Sequence, residues 1–194
     1  MADAFSPTLP TPADHRPWLH RFSLGVVAIT FLLTIAGGTV TSRGVGLAVP
    51  DWPGTFGHNL FVFPWRLWRG GIFWEHTHRL LGSLIGMLVI VQCLWLLKVE
   101  GRRRWLQALG VGLLLAVIAQ GVMGGLRVRE MSTAWAVAHG VTGQLILAMT
   151  VLVAAATGRL WRAVRASGGE AGAGASGGEA DAAGAAESTE SAAE

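Results

Sequence analysis

Four apolar runs divide the chain, at about 19–41, 73–97, 105–126 and 133–158. Each reaches the ~20 residues that a helix needs to cross a bilayer core. None keeps the polar stripe that a surface helix of a soluble domain shows. The pattern predicts an all-α, polytopic membrane protein built as a four-helix transmembrane bundle. Trp18, Trp74, Trp95, Trp105, Trp135 and Trp161 fall at or near the ends of the runs, where interfacial aromatic residues gather. Around this 18–165 membrane domain the pattern leaves a polar lead, 1–17, a long connection, 42–72, and a tail, 166–194.

Composition agrees with that class: 52% of residues are hydrophobic and 14% charged, a balance that argues against a soluble globular domain. Charge then orients the bundle. Arg16 and Arg21 precede the first run, Lys98 and Arg102 to Arg104 join the second to the third, and Arg159, Arg162 and Arg165 follow the fourth. With four spans these segments share one side, and the positive-inside rule makes it cytoplasmic, together with both termini. Connections 42–72 and 127–132 then face outward, although they carry Arg43, Arg66, Arg69, Arg127 and Arg129. The tail is Ala, Gly, Ser and acid, too poor in large apolar residues to form a core, and is expected to be disordered. It holds six of the acids, leaving +9 on residues 1–165. A single cysteine, Cys93, allows no intramolecular disulfide, and no cleavable signal is expected. The predicted location is the plasma or inner membrane, crossed four times, with no nucleic-acid partner.

The polar interruptions carry the chemistry. Glu75-His76-Thr77-His78-Arg79 opens the second run, although ionisable groups in a span cost roughly 2.5–3.5 kcal/mol each on insertion scales and usually mark a site. Glu75 and His78 share a helical face, with Gly82 and Gly86 following His78 at intervals of four. The fourth run repeats the motif as His139 followed by Gly143, and both the first and the third run end in a glycine pair, Gly37-Gly38 and Gly124-Gly125. His78 and His139 each lie about six residues into spans of the same direction, a depth of ~9 Å. Two imidazoles at equal depth, each above a small residue, suit the axial positions of one haem with its ring edge-on between them. Zinc or copper is the competing occupant, though Glu75, His76, His78 and His139 form no standard closed set. Arg79, Arg127 and Arg129 lie near the same level and are candidates for haem carboxylates, with interfacial anchoring as the plain alternative. His76 points off the Glu75–His78 face, and its reading stays open. His20 reads as a surface residue. The long 42–72 connection, rich in aromatics, is expected to lie on the membrane surface or over a site.

These residues resemble the haem A synthase family, the cytochrome c oxidase assembly factors that convert haem O to haem A. The resemblance spans about 20–160. It rests on the Gly37-Gly38 end of the first run, Gly46-Leu47 with Pro50-Asp51-Trp52-Pro53, Glu75-x-x-His78-Arg79, Gln120-Gly121 with Gly124-Gly125, and His139. It implies that Glu75 is the catalytic carboxylate for oxidising a haem methyl to a formyl group, and that His78 and His139 ligate haem iron. Two features depart from the family. Its members commonly have eight spans in two four-helix halves, and this chain has four. Many bacterial members carry a cysteine on either side of the Asp-Trp-Pro segment, where this chain has Val49 and Thr55.

Two functions of different class follow. One is a membrane oxidoreductase acting on haem O at an outward-facing site. The other is a bis-histidine b-type cytochrome, or a haem-carrying assembly subunit, in which haem B or another haem is held without turnover. The partners expected are the haem substrate, the lipid bilayer, a second copy of the chain or a partner half-protein supplying further spans, and, through the resemblance, haem O synthase or oxidase assembly factors.

Overall fold

The computed structural model describes residues 16–159 and 161; the expected lead and tail lie, apart from residues 16 and 17, outside the described residues. The four runs form α1 (Pro17–Ser42), α2 (Gly70–Val99), α3 (Arg104–Glu130) and α4 (Thr133–Thr157). All four are long and apolar enough to cross a membrane. α1 opens with Pro17 at its first position, where the missing N–H leaves no helical bond unmade. Most helices outrun their apolar stretch by a few residues, because backbone hydrogen bonding continues through the interfacial turns. The difference matters most between α3 and α4, expected to be a loop over 127–132. Arg127 and Arg129 instead lie in the last turn of α3, where cations suit the negative end of the helix. Only Met131 and Ser132 make the connection, with Met131 in the left-handed region at φ 47°.

Each helix packs on its two neighbours in the ring α1–α2–α3–α4. α2 and α4 therefore face one another diagonally, as do α1 and α3. The interior is filled unevenly along its length. Towards the end that holds Pro17, the 100–103 connection and Thr157, a core of Leu19 and Val26, Val89 and Leu96, Leu106 and Leu113, and Val153 closes the bundle. Ser23 adds a buried polar tie there, accepting from Gln92 Nε2 at 2.9 Å and donating to the Leu19 carbonyl. His20, read from sequence as a surface residue, is half-buried, with Nδ1 3.0 Å from the Ala154 carbonyl. Above Ile85 and Ile146 the packing thins. No residue is buried from 31 to 39 on α1, 77 to 84 on α2, 114 to 124 on α3, or 133 to 145 on α4.

The 43–69 connection folds over that thinly packed end as a cap. Gly44, at φ +65°, turns the chain out of α1, a conformation open to glycine at little cost. Asp51 organises the next turn: its carboxylate accepts from the backbone N–H of Phe56 at 2.7 Å and of Gly57 at 2.8 Å. Two short 3-10 turns, Leu60–Val62 and Trp65–Leu67, lead into α2.

Candidate functional site

Inside the thinly packed layer, His78 of α2 and His139 of α4 face each other across the bundle axis, ring centroids 6.3 Å apart and planes inclined by 77°. α2 begins earlier than the apolar run, so His78 lies in its third turn and His139 in the second turn of α4; the rings meet nonetheless. Each rests on a glycine of the neighbouring helix. A Cβ built on Gly37 would stand 3.0 Å from Cε1 of His78, and one on Gly124 would stand 3.1 Å from Cε1 of His139. The first glycine of each pair, inside α1 and α3, is thus the seat of an imidazole.

Gln120 ties the second histidine down. Its side-chain amide donates to the His139 carbonyl at 2.7 Å and its Oε1 accepts from Thr142 at 2.6 Å. Its backbone carbonyl lies 3.1 Å from His139 Nδ1. A carbonyl can only accept, so Nδ1 carries the proton and Nε2 keeps its lone pair, the usual orientation of a metal-binding imidazole. On the other side His78 Nδ1 is buried without a hydrogen-bond partner. Below the pair, a Cβ on Gly82 would meet nothing within 4 Å, and Gly143 faces only the Gln120 amide.

Glu75, His76 and Arg79 face the cap. Glu75 is 4% exposed; its Oε2 accepts from Val49 N–H at 2.9 Å and its Oε1 pairs with Arg79 at 2.6 Å. Arg79 also donates to the carbonyls of Asp51 at 2.6 Å, Gly54 at 2.7 Å and Val49 at 3.0 Å. His76, left open by the sequence, is fully buried. Its Nδ1 lies 2.9 Å from Thr55 Oγ1, and its ring lies between Phe63 and Trp68, 4.8 Å from each. Val49 and Thr55, where many bacterial relatives of the resembled family carry cysteine, are therefore the two cap residues that bind Glu75 and His76. Trp52 completes the docking by lying on Gly125 of α3, whose Cβ would come within 2.7 Å of its ring. Arg127 is half-buried beside Gly46 of the cap, and Arg129 is exposed.

The donor set fits a haem. Two metal–imidazole bonds of ~2.0 Å, added to the half-widths of two rings, take up about the spacing seen here. The layer around them holds no packed core, and Gly82 opens the space beneath. A closed structural zinc site needs four ligands, and among the described residues no three His, Cys, Asp or Glu side chains converge. The family model of the COX15-CtaA cytochrome oxidase assembly proteins matches residues 69–176, a stretch that holds Glu75, His78, Arg79 and His139. The chain belongs to the COX15-CtaA family. Membership implies a role in cytochrome oxidase assembly and associates the chain with haem. α1 and the cap precede the matched stretch. No curated protein and no solved structure matches the chain.

Three contributions to this COX15-CtaA site are not evident from residue type alone: the seating of each imidazole on a glycine, the Gln120 carbonyl behind His139, and the burial of His76 by Thr55. A signal for the first lay in the order the two hairpins share, a glycine pair in one helix followed by His-x-x-x-Gly in the next.

Proposed function

We propose that the protein acts in cytochrome oxidase assembly as a haem A synthase-type membrane oxidoreductase, taking haem O as substrate and oxidising a methyl group of its ring to a formyl group, with the oxygen taken from water and the electrons and protons passed to an external acceptor. The observation that carries this reading is the pair of imidazoles facing each other at 6.3 Å in a layer outside the packed core, one turn from a buried carboxylate. A bound haem would supply iron redox chemistry that no side chain here offers. His78 and His139 would hold and orient it, with Gly37 and Gly124 setting the imidazole positions and the Gln120 carbonyl fixing the His139 proton on Nδ1. Glu75 would act as the catalytic carboxylate, its negative charge favouring the loss of electrons from the nearby substrate edge in a low-dielectric setting. The cap keeps bulk water from the layer. By the positive-inside rule the cap lies on the outer face of the plasma or inner membrane.

One observation favours the carrier reading, a bis-histidine cytochrome without turnover: both oxygens of Glu75 are committed to Val49 and Arg79. Expression with a supply of haem O, followed by extraction of the pigment, separates the two. The oxidoreductase yields haem A in the wild type and loses it in Glu75→Ala while keeping bound haem; haem A at normal yield in that variant would leave Glu75 a purely structural group. His78→Ala and His139→Ala should each abolish the low-spin spectrum, and unchanged spectra in both would remove the ligand assignment.

A further inference from the structure

Two arginines border the histidine layer from α2 and α3, and their surroundings differ. Arg79 is saturated: Nη1 donates to Asp51 and Gly54, and Nη2 to Val49 and Glu75. Arg127 makes no hydrogen bond or ion pair among the described residues. It is half-buried, one turn beyond the Gly124 seat of His139. Its guanidinium lies so close to Gly46 of the cap that any Cβ there would overlap it. The cap is therefore shaped around this side chain and gives it no partner. A half-buried cation without a counter-charge is costly unless an anion meets it.

Resting on the haem reading above, the geometry points to Arg127 as the binding group for a carboxylate of the porphyrin, with Gly46 making room for the guanidinium and Arg79 serving to fasten the cap. The sequence placed Arg79, Arg127 and Arg129 together as candidates; their partners separate them. Guanidinium matches carboxylate with two parallel N–H donors, so this contact also fixes which edge of the ring faces the cap. Arg129 is exposed and takes no part.

Titration of the purified, haem-depleted full chain in detergent tests this, using iron protoporphyrin IX and its dimethyl ester, which share ring and iron but differ in carboxylate charge. The free acid should bind about 10- to 100-fold more tightly, the loss expected for a hydrogen bond to a charged group. Arg127→Gln should bring the free acid down to the affinity of the ester while the ester keeps its affinity and low-spin spectrum. Gly46→Val should do the same with the guanidinium intact, and Arg127→Lys should fall between. Equal affinity of the two porphyrins for the wild type, or an undiminished preference in Arg127→Gln, would overturn the assignment. A wild type that gives a low-spin spectrum with neither porphyrin would overturn the haem reading itself, and this assignment with it.

Discussion

Gly37 and His78 touch across the α1–α2 interface so closely that a single added carbon on the glycine would stand 3.0 Å from the imidazole. The same relation holds between Gly124 and His139 at 3.1 Å. Both distances are tight but not prohibitive, so the size of the substituent decides the outcome. Gly37→Ala should keep a low-spin haem with an altered ring orientation, seen as shifted electron paramagnetic resonance g-values, while the helix gains about 0.5–1 kcal/mol from the lost glycine. Gly37→Val should displace the ring and abolish the low-spin spectrum. An unaltered spectrum in the valine variant would show that the seat does not position His78.

Arg79→Gln should release the cap. The change leaves Glu75 buried without its cation and three cap carbonyls without a donor, a loss of about 3–5 kcal/mol for a broken buried pair. The expected signs are a lower unfolding temperature in detergent and faster proteolysis within 43–69. A cap as resistant as that of the wild type would contradict the clamp.

Thr55→Val removes the hydroxyl that meets His76 Nδ1 at 2.9 Å and changes the volume little. With the imidazole otherwise enclosed by Phe63 and Trp68, the unmade bond should cost about 1–3 kcal/mol. Thr55→Ser should recover most of it in the same thermal unfolding measurement. A loss in Thr55→Ser with none in Thr55→Val would point to the methyl group instead of the hydroxyl.

The Asp51 turn should resist acid down to the ordinary carboxylate range. Burial pushes the Asp51 carboxyl up, but the amides of Gly57 and Phe56, helped by the charge of Arg79, outweigh it and hold the group below its usual value of 3.8. Because the folded value is the lower one, the turn's contribution is complete above 3.8 and is lost as pH falls through the folded value. Trp52 emission should therefore stay constant from neutral pH to about pH 4 and change below it, against a Trp52→Phe reference. In Asp51→Asn that acid transition should vanish; its persistence would assign it to another group.

How far the sequence reveals this molecule differs by level. The helices were legible because a span in lipid needs an unbroken apolar run, and runs of that length have few other uses. His78 and His139 were legible as a pair because polar groups inside such runs are rare enough to stand out. The partners of Arg79 and Arg127 were not: the two side chains have the same chemistry and similar depth, and only the path of the cap gives one three carbonyl acceptors and the other a bare glycine. Gly37 and Gly124 read equally well as points of close helix contact, since a missing side chain records that something approaches without recording what. His76 was undecidable from helical periodicity, which places it off the Glu75–His78 face and says nothing of a cap folding back to bury it.

The two facing histidines come from different hairpins, one from α1–α2 and the other from α3–α4, and they stand on helices that are diagonal in the ring. On the proposed haem reading, neither hairpin inserted on its own would hold more than half of the ligand set. Pigment would then be a readout of hairpin docking during biogenesis: two fragments separated within the 100–103 connection should each remain colourless in the bilayer, and colour should develop only when they are co-expressed and meet.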